Sequence, residues 1–204
     1  MHELSGIYAI LDDSPGRETE ALLDAILQAG VRIVQYRSKR GIDRHVLGGI
    51  CSRAHAARAI VIVNDDVDAA LDADGVHLGQ EDLVRYDTAS LRGRLGNRVL
   101  GVSCSTPLEA REAERLGADY VGVGPFKATM SKSDAGPAIG TAGIRSVAQA
   151  TRLPVAAIGG IGLEDLGDLV RSGARMAAVI SAIARAADPQ ASARALVQGW
   201  EALV

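Results

Sequence analysis

The sequence predicts an α/β chain of the (β/α)₈ barrel class, and three observations point there. Short apolar runs of strand length alternate with segments of helical periodicity eight times along 204 residues. Glycine junctions recur just ahead of the strands, at Ala29-Gly30-Val31, Asp74-Gly75-Val76, Leu116-Gly117-Ala118-Asp119 and Ser172-Gly173-Ala174, where a left-handed residue ends a helix. Polar side chains collect where the apolar runs stop, which is where a barrel keeps its chemistry. Eight units in about 200 residues lie near the lower end of the range for such a barrel, taken here as one domain over residues 1–204. A doubly wound sheet is the alternative; the lack of a GxGxxG after an early strand leaves a dinucleotide fold little support.

The elements follow in order. Ile7 to Leu11 reads as the first strand and Glu18 to Ala29 as a helix closed by Gly30. Strand Val31 to Tyr36 leads to a helix from Asp43 to Ala57, with Asp43 suited to its N-cap. Strand Ile60 to Val63, a short helix from Asp66 to Leu71 and strand Gly75 to Leu78 come next. A weaker helix, Thr88 to Leu95, precedes strand Val99 to Ser103. Thr106 and Pro107 then open a helix to Leu116 in the cap and first-turn positions these residues favour. Strand Tyr120 to Val123 enters a long polar loop, Pro125 to Gly140, and a helix from Thr141 to Thr151. The last two units are strand Pro154 to Ile158 with helix Leu163 to Ser172, and strand Met176 to Ile180 with helix Gln190 to Leu203.

Composition narrows the function. Apolar residues make up 48% of the chain and aromatics 3%, so Val, Ile, Leu and Ala must fill the core, with Trp200 anchoring the last helix. A net charge of −3 from 22 basic and 25 acidic residues supplies no general field for nucleic acid or an anionic membrane. Any anion site must be local. Met1 to Ser5 lacks the features of a signal peptide and no 18 apolar residues run together, so a cytoplasmic protein is expected. Cys51 and Cys104 have no CxxC or Cys/His context and read as reduced packing residues.

Residues Val31 to Lys39 carry the strongest local signal. Alternation in an extended strand puts Ile33, Gln35, Arg37 and Lys39 on one face, and unpaired charge on an inward face calls for an anion opposite. Solvation of Arg37 and Lys39 in the following loop is the competing reading. The third strand ends in Asn64-Asp65 and the fourth runs on to Gln80-Glu81-Asp82. Two carboxylates on neighbouring loops facing cations suit Mg²⁺, which takes one or two protein oxygens and completes its shell with phosphate and water; otherwise Asp65 is a helix cap and Asp82 a loop acid. The long loop carries Thr129, Met130, Ser131 and Lys132 and reads as a lid. Gly159-Gly160 and Ile180-Ser181 follow strands seven and eight, where barrels often hold phosphate. His77 reads as a hydrogen-bonded structural histidine, with no nucleophile partner beside it.

Together these motifs resemble the thiamine-phosphate synthase (thiamine-phosphate pyrophosphorylase) family across nearly the whole chain. They are Gln-Tyr-Arg-x-Lys, Asn-Asp, Gly-Val-His-Leu-Gly-Gln-Glu-Asp, Gly-Val-Ser, Gly-Pro with a following Thr and Lys, Ile-Gly-Gly-Ile and Ile-Ser-Ala-Ile. The resemblance implies condensation of a hydroxymethylpyrimidine diphosphate with a thiazole phosphate, giving thiamine phosphate and pyrophosphate. It implies that Gln35, Tyr36, Arg37, Ser38, Lys39, Asn64, Ser103 and Lys132 contact the pyrimidine diphosphate. Arg37, Lys39, Lys132 and Ser103 would carry catalysis, and Asp65 and Asp82 would bind Mg²⁺. Thr129, Met130, Ser131, Gly160, Ile180 and Ser181 would line the thiazole phosphate site. Its partners are small molecules, not nucleic acid or membrane. The chain departs from the family at Ser131, which stands where a second Thr is usual. A thiazole tautomerase or regulatory relative and a non-catalytic binding barrel are rivals with no use for the two carboxylates beside the cations; a phosphosugar isomerase or epimerase, the third rival, needs a proton-transfer pair that the strand ends do not supply.

Overall fold

Short Val- and Ile-rich runs buried on both faces favour parallel strands flanked by helices. The computed structural model, which describes residues 4–12, 18–129 and 136–204, closes eight of them into a parallel barrel in chain order. The strands are β1 (Gly6–Asp12), β2 (Ile33–Arg37), β3 (Ile60–Asn64), β4 (Gly75–Leu78), β5 (Val99–Cys104), β6 (Tyr120–Val123), β7 (Val155–Ile158) and β8 (Met176–Val179). Around them run α1 (Thr19–Gln28), α2 (Arg44–Ala56), α3 (Gln80–Leu83), α4 (Thr88–Leu95), α5 (Pro107–Arg115), α6 (Gly140–Ala148), α7 (Leu166–Arg171), α8 (Ser181–Ala184) and α9 (Pro189–Glu201). The four-residue helices α3 and α8 have too little periodicity to read in sequence. The short helix expected at 66–71 is a 3₁₀ turn, Ala69–Asp72.

Local chemistry fixes the boundaries. Asp43 caps α2 by accepting from the N–H groups of His45 and Val46, and Thr106 with Glu109 forms a capping box on α5. Gly30, Gly117 and Gly173 take φ of 101°, 77° and 92° at helix ends, as the junction motif requires. Gly75 differs: it lies in β4, where a Cβ would sit 2.3 Å from the Val99 carbonyl oxygen, so close strand packing selects glycine there.

Alternation divides the apolar residues into two layers. Outward residues such as Leu11, Val34, Val61, Val102 and Val121 pack beneath the helices with Trp200 of α9. Inward residues Tyr8, Ile33, Ile60, Ile62, Tyr120 and Met176 fill the lower barrel. Cys51 and Cys104 are buried free thiols, pushed by burial up to about 11 and about 12. Among the described residues no helix is long and apolar enough to cross a membrane.

Candidate active site

The apolar filling stops short of the C-terminal ends of the strands, leaving a cavity of about 410 Å³, a volume suited to small molecules. Gln35 and Arg37 face it from β2. Arg37 Nη1 lies 3.0 Å from Asp12 Oδ2, and the two residues are register partners at the ends of β2 and β1. Asp12 is therefore the anion expected opposite the cationic face. Tyr36, one residue out of phase, is buried in the layer outside the barrel and does not border the cavity. Ser38 and the exposed Lys39 lie beyond the strand and also fall outside the cavity wall. Tyr36, assigned to the ligand through the family resemblance alone, lies on the opposite face from Gln35 and Arg37, as the period of two requires, and Lys39 reaches the turn before it can share the face of Arg37.

Asn64, Asp65 and Asp82 form the adjoining rim. Asp65 has φ of 63°, a left-handed conformation that Asp tolerates better than most residues, and its N–H donates to the His77 carbonyl at 2.9 Å. Asn64 Nδ2 donates to Asp65 Oδ2 at 2.5 Å. The Asp65 and Asp82 carboxyls are within hydrogen-bonding contact, and Asp65 is pushed up to about 6. Lost hydration is the main cause, followed by the charge of Asp82 and the bond to it; a bond from the Gly79 N–H and the charge of Arg37 oppose these. Arg85 Nη1 is 3.2 Å from Asp82 Oδ1. Among the described residues no group of three or more His, Cys, Asp or Glu gathers as a metal cage. Two crowded carboxylates do fit a hard cation that draws its other oxygens from phosphate and water.

The cavity floor is a run of hydrogen bonds. Gln35 Nε2 donates to Tyr8 Oη at 2.7 Å, and Tyr8 Oη is 2.8 Å from Tyr120 Oη. Tyr120 Oη is 2.9 Å from His77 Nδ1, and His77 Nε2 is 2.9 Å from Ser103 Oγ. Gln80 Nε2 donates to the Ser103 carbonyl at 2.5 Å. Burial pushes both phenols above their usual pKa. Two strand glycines make the room: a Cβ on Gly101 would lie 2.1 Å from the Tyr120 ring, and one on Gly122 would lie 2.8 Å from His77. His77 is hydrogen-bonded as expected, and it borders the cavity as well.

The far wall holds Thr129, Gly160, Ile180 and Ser181. Gly159 and Gly160 have φ of 106° and 66°, and their missing Cβ atoms admit the loop after β6: a Cβ on Gly160 would be 2.9 Å from Lys127 Cβ. Phe126 and Lys127 donate their N–H groups to the carbonyls of Ile158 and Gly159 at 2.7 and 2.9 Å. The glycine pair is thus required by loop packing, a structural reason beside the phosphate site and the simple tight turn that the sequence suggests. Lys127 Nζ pins the same loop to Asp165 Oδ1 at 2.5 Å. Met130, Ser131 and Lys132 lie outside the described residues.

Sequence reasoning missed Asp12, Tyr8 and Tyr120. The available signal was a tyrosine at an inward position of β1 and of β6, with glycines at inward positions of β5 and β6 opening space.

These features define a (β/α)₈ barrel with a cavity at its C-terminal rim, furnished with the Arg37 cation, the Gln35 amide and a carboxylate pair, the arrangement of a barrel enzyme. The chain matches the thiamine monophosphate synthase family over residues 7–183 and belongs to it, among the transferases of thiamine biosynthesis. It is 42% identical over 197 residues to the thiamine-phosphate synthase of Chloroflexus aurantiacus, covering 93% of this chain and 90% of that one. It is 39% identical over 204 residues to the thiamine-phosphate synthase of Archaeoglobus fulgidus, covering 97% and 94%. The solved thiamine phosphate pyrophosphorylase from Pyrococcus furiosus superposes with a TM-score of 0.86 at 30% identity, over 98% of this chain and 96% of that one.

Proposed function

We propose that this chain, as one cytoplasmic domain, condenses 4-amino-2-methyl-5-hydroxymethylpyrimidine diphosphate with 4-methyl-5-(2-phosphoethyl)thiazole or its carboxylated form. The products are thiamine phosphate and pyrophosphate, and the reaction depends on Mg²⁺. The observation that carries this reading is the pair of carboxylates, Asp65 and Asp82, on the same cavity rim as Arg37 and close enough that the charge of Asp82 raises Asp65. Carboxylates crowded in this way are costly without a cation and useful with one.

Breaking the C–O bond to diphosphate places negative charge on the leaving group. Arg37, oriented by Asp12, stabilises that charge as it develops, with Asn64 beside it and Lys39 and Lys132 assigned by family resemblance. An opposite charge at 4 Å contributes up to ~4 kcal/mol at the dielectric of a protein surface. Asp65 and Asp82 are the residues that would hold Mg²⁺, which would supply further neutralisation of the charge on the leaving group. Gln35 and Ser103 orient the pyrimidine, whose ring carries the transient positive charge. Thr129, Gly160, Ile180 and Ser181, with Met130 and Ser131, hold the thiazole phosphate so that its nitrogen attacks the methylene carbon. The attacking lone pair carries no proton, so the step asks for no general base. Both nitrogens of His77 are engaged in the floor, which agrees with that requirement.

The test measures pyrophosphate release from the pyrimidine diphosphate with and without thiazole phosphate, in EDTA and after Mg²⁺ is restored. Release coupled to thiamine phosphate formation, lost in EDTA and recovered with Mg²⁺, is expected. Thiazole isomerisation alone, or full activity in chelator, refutes the reading.

A further inference from the structure

Gln35, Tyr8, Tyr120, His77 and Ser103 form one continuous run of hydrogen bonds with links of 2.7–2.9 Å. Each phenol has a single proton, so the direction of donation at one link sets the next. Gln35 donates from Nε2 to Tyr8. Tyr8 must then donate to Tyr120, Tyr120 to His77 Nδ1, and His77 from Nε2 to Ser103 Oγ. An imidazole with a proton on Nδ1 would push donation the other way and leave the Tyr8 proton, buried, with no acceptor. The two ends therefore offer opposite groups to the cavity: Gln35 its amide oxygen, Ser103 its hydroxyl proton. The reverse state requires the amide to turn over and every link to swap, after which Gln35 offers N–H and Ser103 a lone pair. Mixed states strand a buried polar atom, which is strongly disfavoured.

We propose that Tyr8, Tyr120 and His77 are positioning residues that lock Gln35 and Ser103 in opposite hydrogen-bonding polarity, so that the site selects a 4-aminopyrimidine over its 4-oxo counterpart. The amino compound presents a donor beside an accepting ring nitrogen; the oxo compound presents the same edge with the roles exchanged. This inference rests on the functional reading above and adds the physical source of its substrate selectivity.

The experiment compares dissociation constants of the 4-amino and 4-oxo pyrimidine diphosphates, measured by calorimetry with Mg²⁺ and without thiazole phosphate, for the wild type, Tyr120→Phe and Tyr8→Phe. The wild type, whose amide donates to Tyr8, should prefer the amino compound by about tenfold or more, because taking the oxo compound requires the buried amide to turn over and the whole run to reverse. Tyr120→Phe removes the acceptor of the Tyr8 proton, Tyr8 turns its donation to Gln35, and the amide rotates. Amino binding should weaken and oxo binding strengthen, lowering the preference by about tenfold or more. Tyr8→Phe frees the amide and should lower the preference with no gain for the oxo compound; it also carries the test if Tyr120→Phe fails to fold. A purely structural role would weaken both ligands alike, and an unchanged ratio in the folded variants overturns the inference while leaving the functional reading intact. Failure of the wild type to bind either pyrimidine overturns both.

Discussion

Replacing Asp82 by Asn separates two roles of the carboxylate pair. Without a metal, Asp65 is pushed up to about 6, partly by the charge of Asp82. A carboxyl raised in the folded state destabilises the fold above that pKa, and the penalty fades as pH falls through about 6 toward the unfolded value. In EDTA at pH 8, Asp82→Asn should therefore be more stable than the wild type, with the difference vanishing near pH 4. Asp65 is exposed at the rim, so screening holds the gain to about 1 kcal/mol or less, a rise in Tm of roughly 2–4 °C for a chain of this size. Mg²⁺ reverses the order. At a hundredfold excess over its Kd it stabilises the wild type by about 2.7 kcal/mol, or roughly 5–10 °C, and should barely move the variant. Turnover of the variant should fall on the order of 10²-fold. Thermal unfolding followed by circular dichroism, with and without Mg²⁺, reads both effects. If the variant is no more stable in EDTA and Mg²⁺ raises both proteins equally, the carboxylates are not a shared cation site.

Other substitutions probe the remaining walls. Asp12→Asn should leave the fold intact and lower kcat/KM about tenfold by loosening Arg37, checked by steady-state kinetics; wild-type kinetics would show that the ion pair does not orient the guanidinium. Gly160→Ala forces a side chain into a left-handed conformation against Lys127, and should cost about 2 kcal/mol, read from urea unfolding. Because burial pushes Cys51 and Cys104 up to about 11 and about 12, both thiols stay protonated at pH 8. Native protein should resist thiol labelling there and react fully after denaturation; rapid stoichiometric labelling of the native protein would contradict their burial.

The barrel was legible because each unit carries a strong local pattern: an apolar run, a cap such as Asp43 or Thr106, and a terminating glycine such as Gly30 or Gly173. Closure itself followed from the count of units and the size of the chain. The rim residues were legible because polar side chains stand where buried apolar strands end, charged at Arg37, Asp65 and Asp82 and neutral at Gln35, Asn64 and Ser103. Tyr8 and Tyr120 were not, since an inward tyrosine in an apolar strand looks like core until its hydroxyl is seen to meet another. Asp12 was hidden for a related reason: its partner Arg37 lies 25 residues away, and only strand register joins them. The four-residue helices α3 and α8 have no period to detect.

The two polar regions of this site obey different electrostatics, and that difference divides their tasks. Arg37, Asp65 and Asp82 stand at the rim, where solvent and ions adjust and where charge developing on a diphosphate can be met by groups already in place. Tyr8 and Tyr120 lie in the floor, fully enclosed, where a mispaired hydroxyl has no water to turn to. Under the proposed reaction, a rim substitution is expected to change how fast charge separates and a floor substitution to change which ring is accepted. The glycines at 101 and 122 tie the two together: any larger residue would displace Tyr120 or His77, break the run of hydrogen bonds, and alter ligand choice without touching a single rim charge.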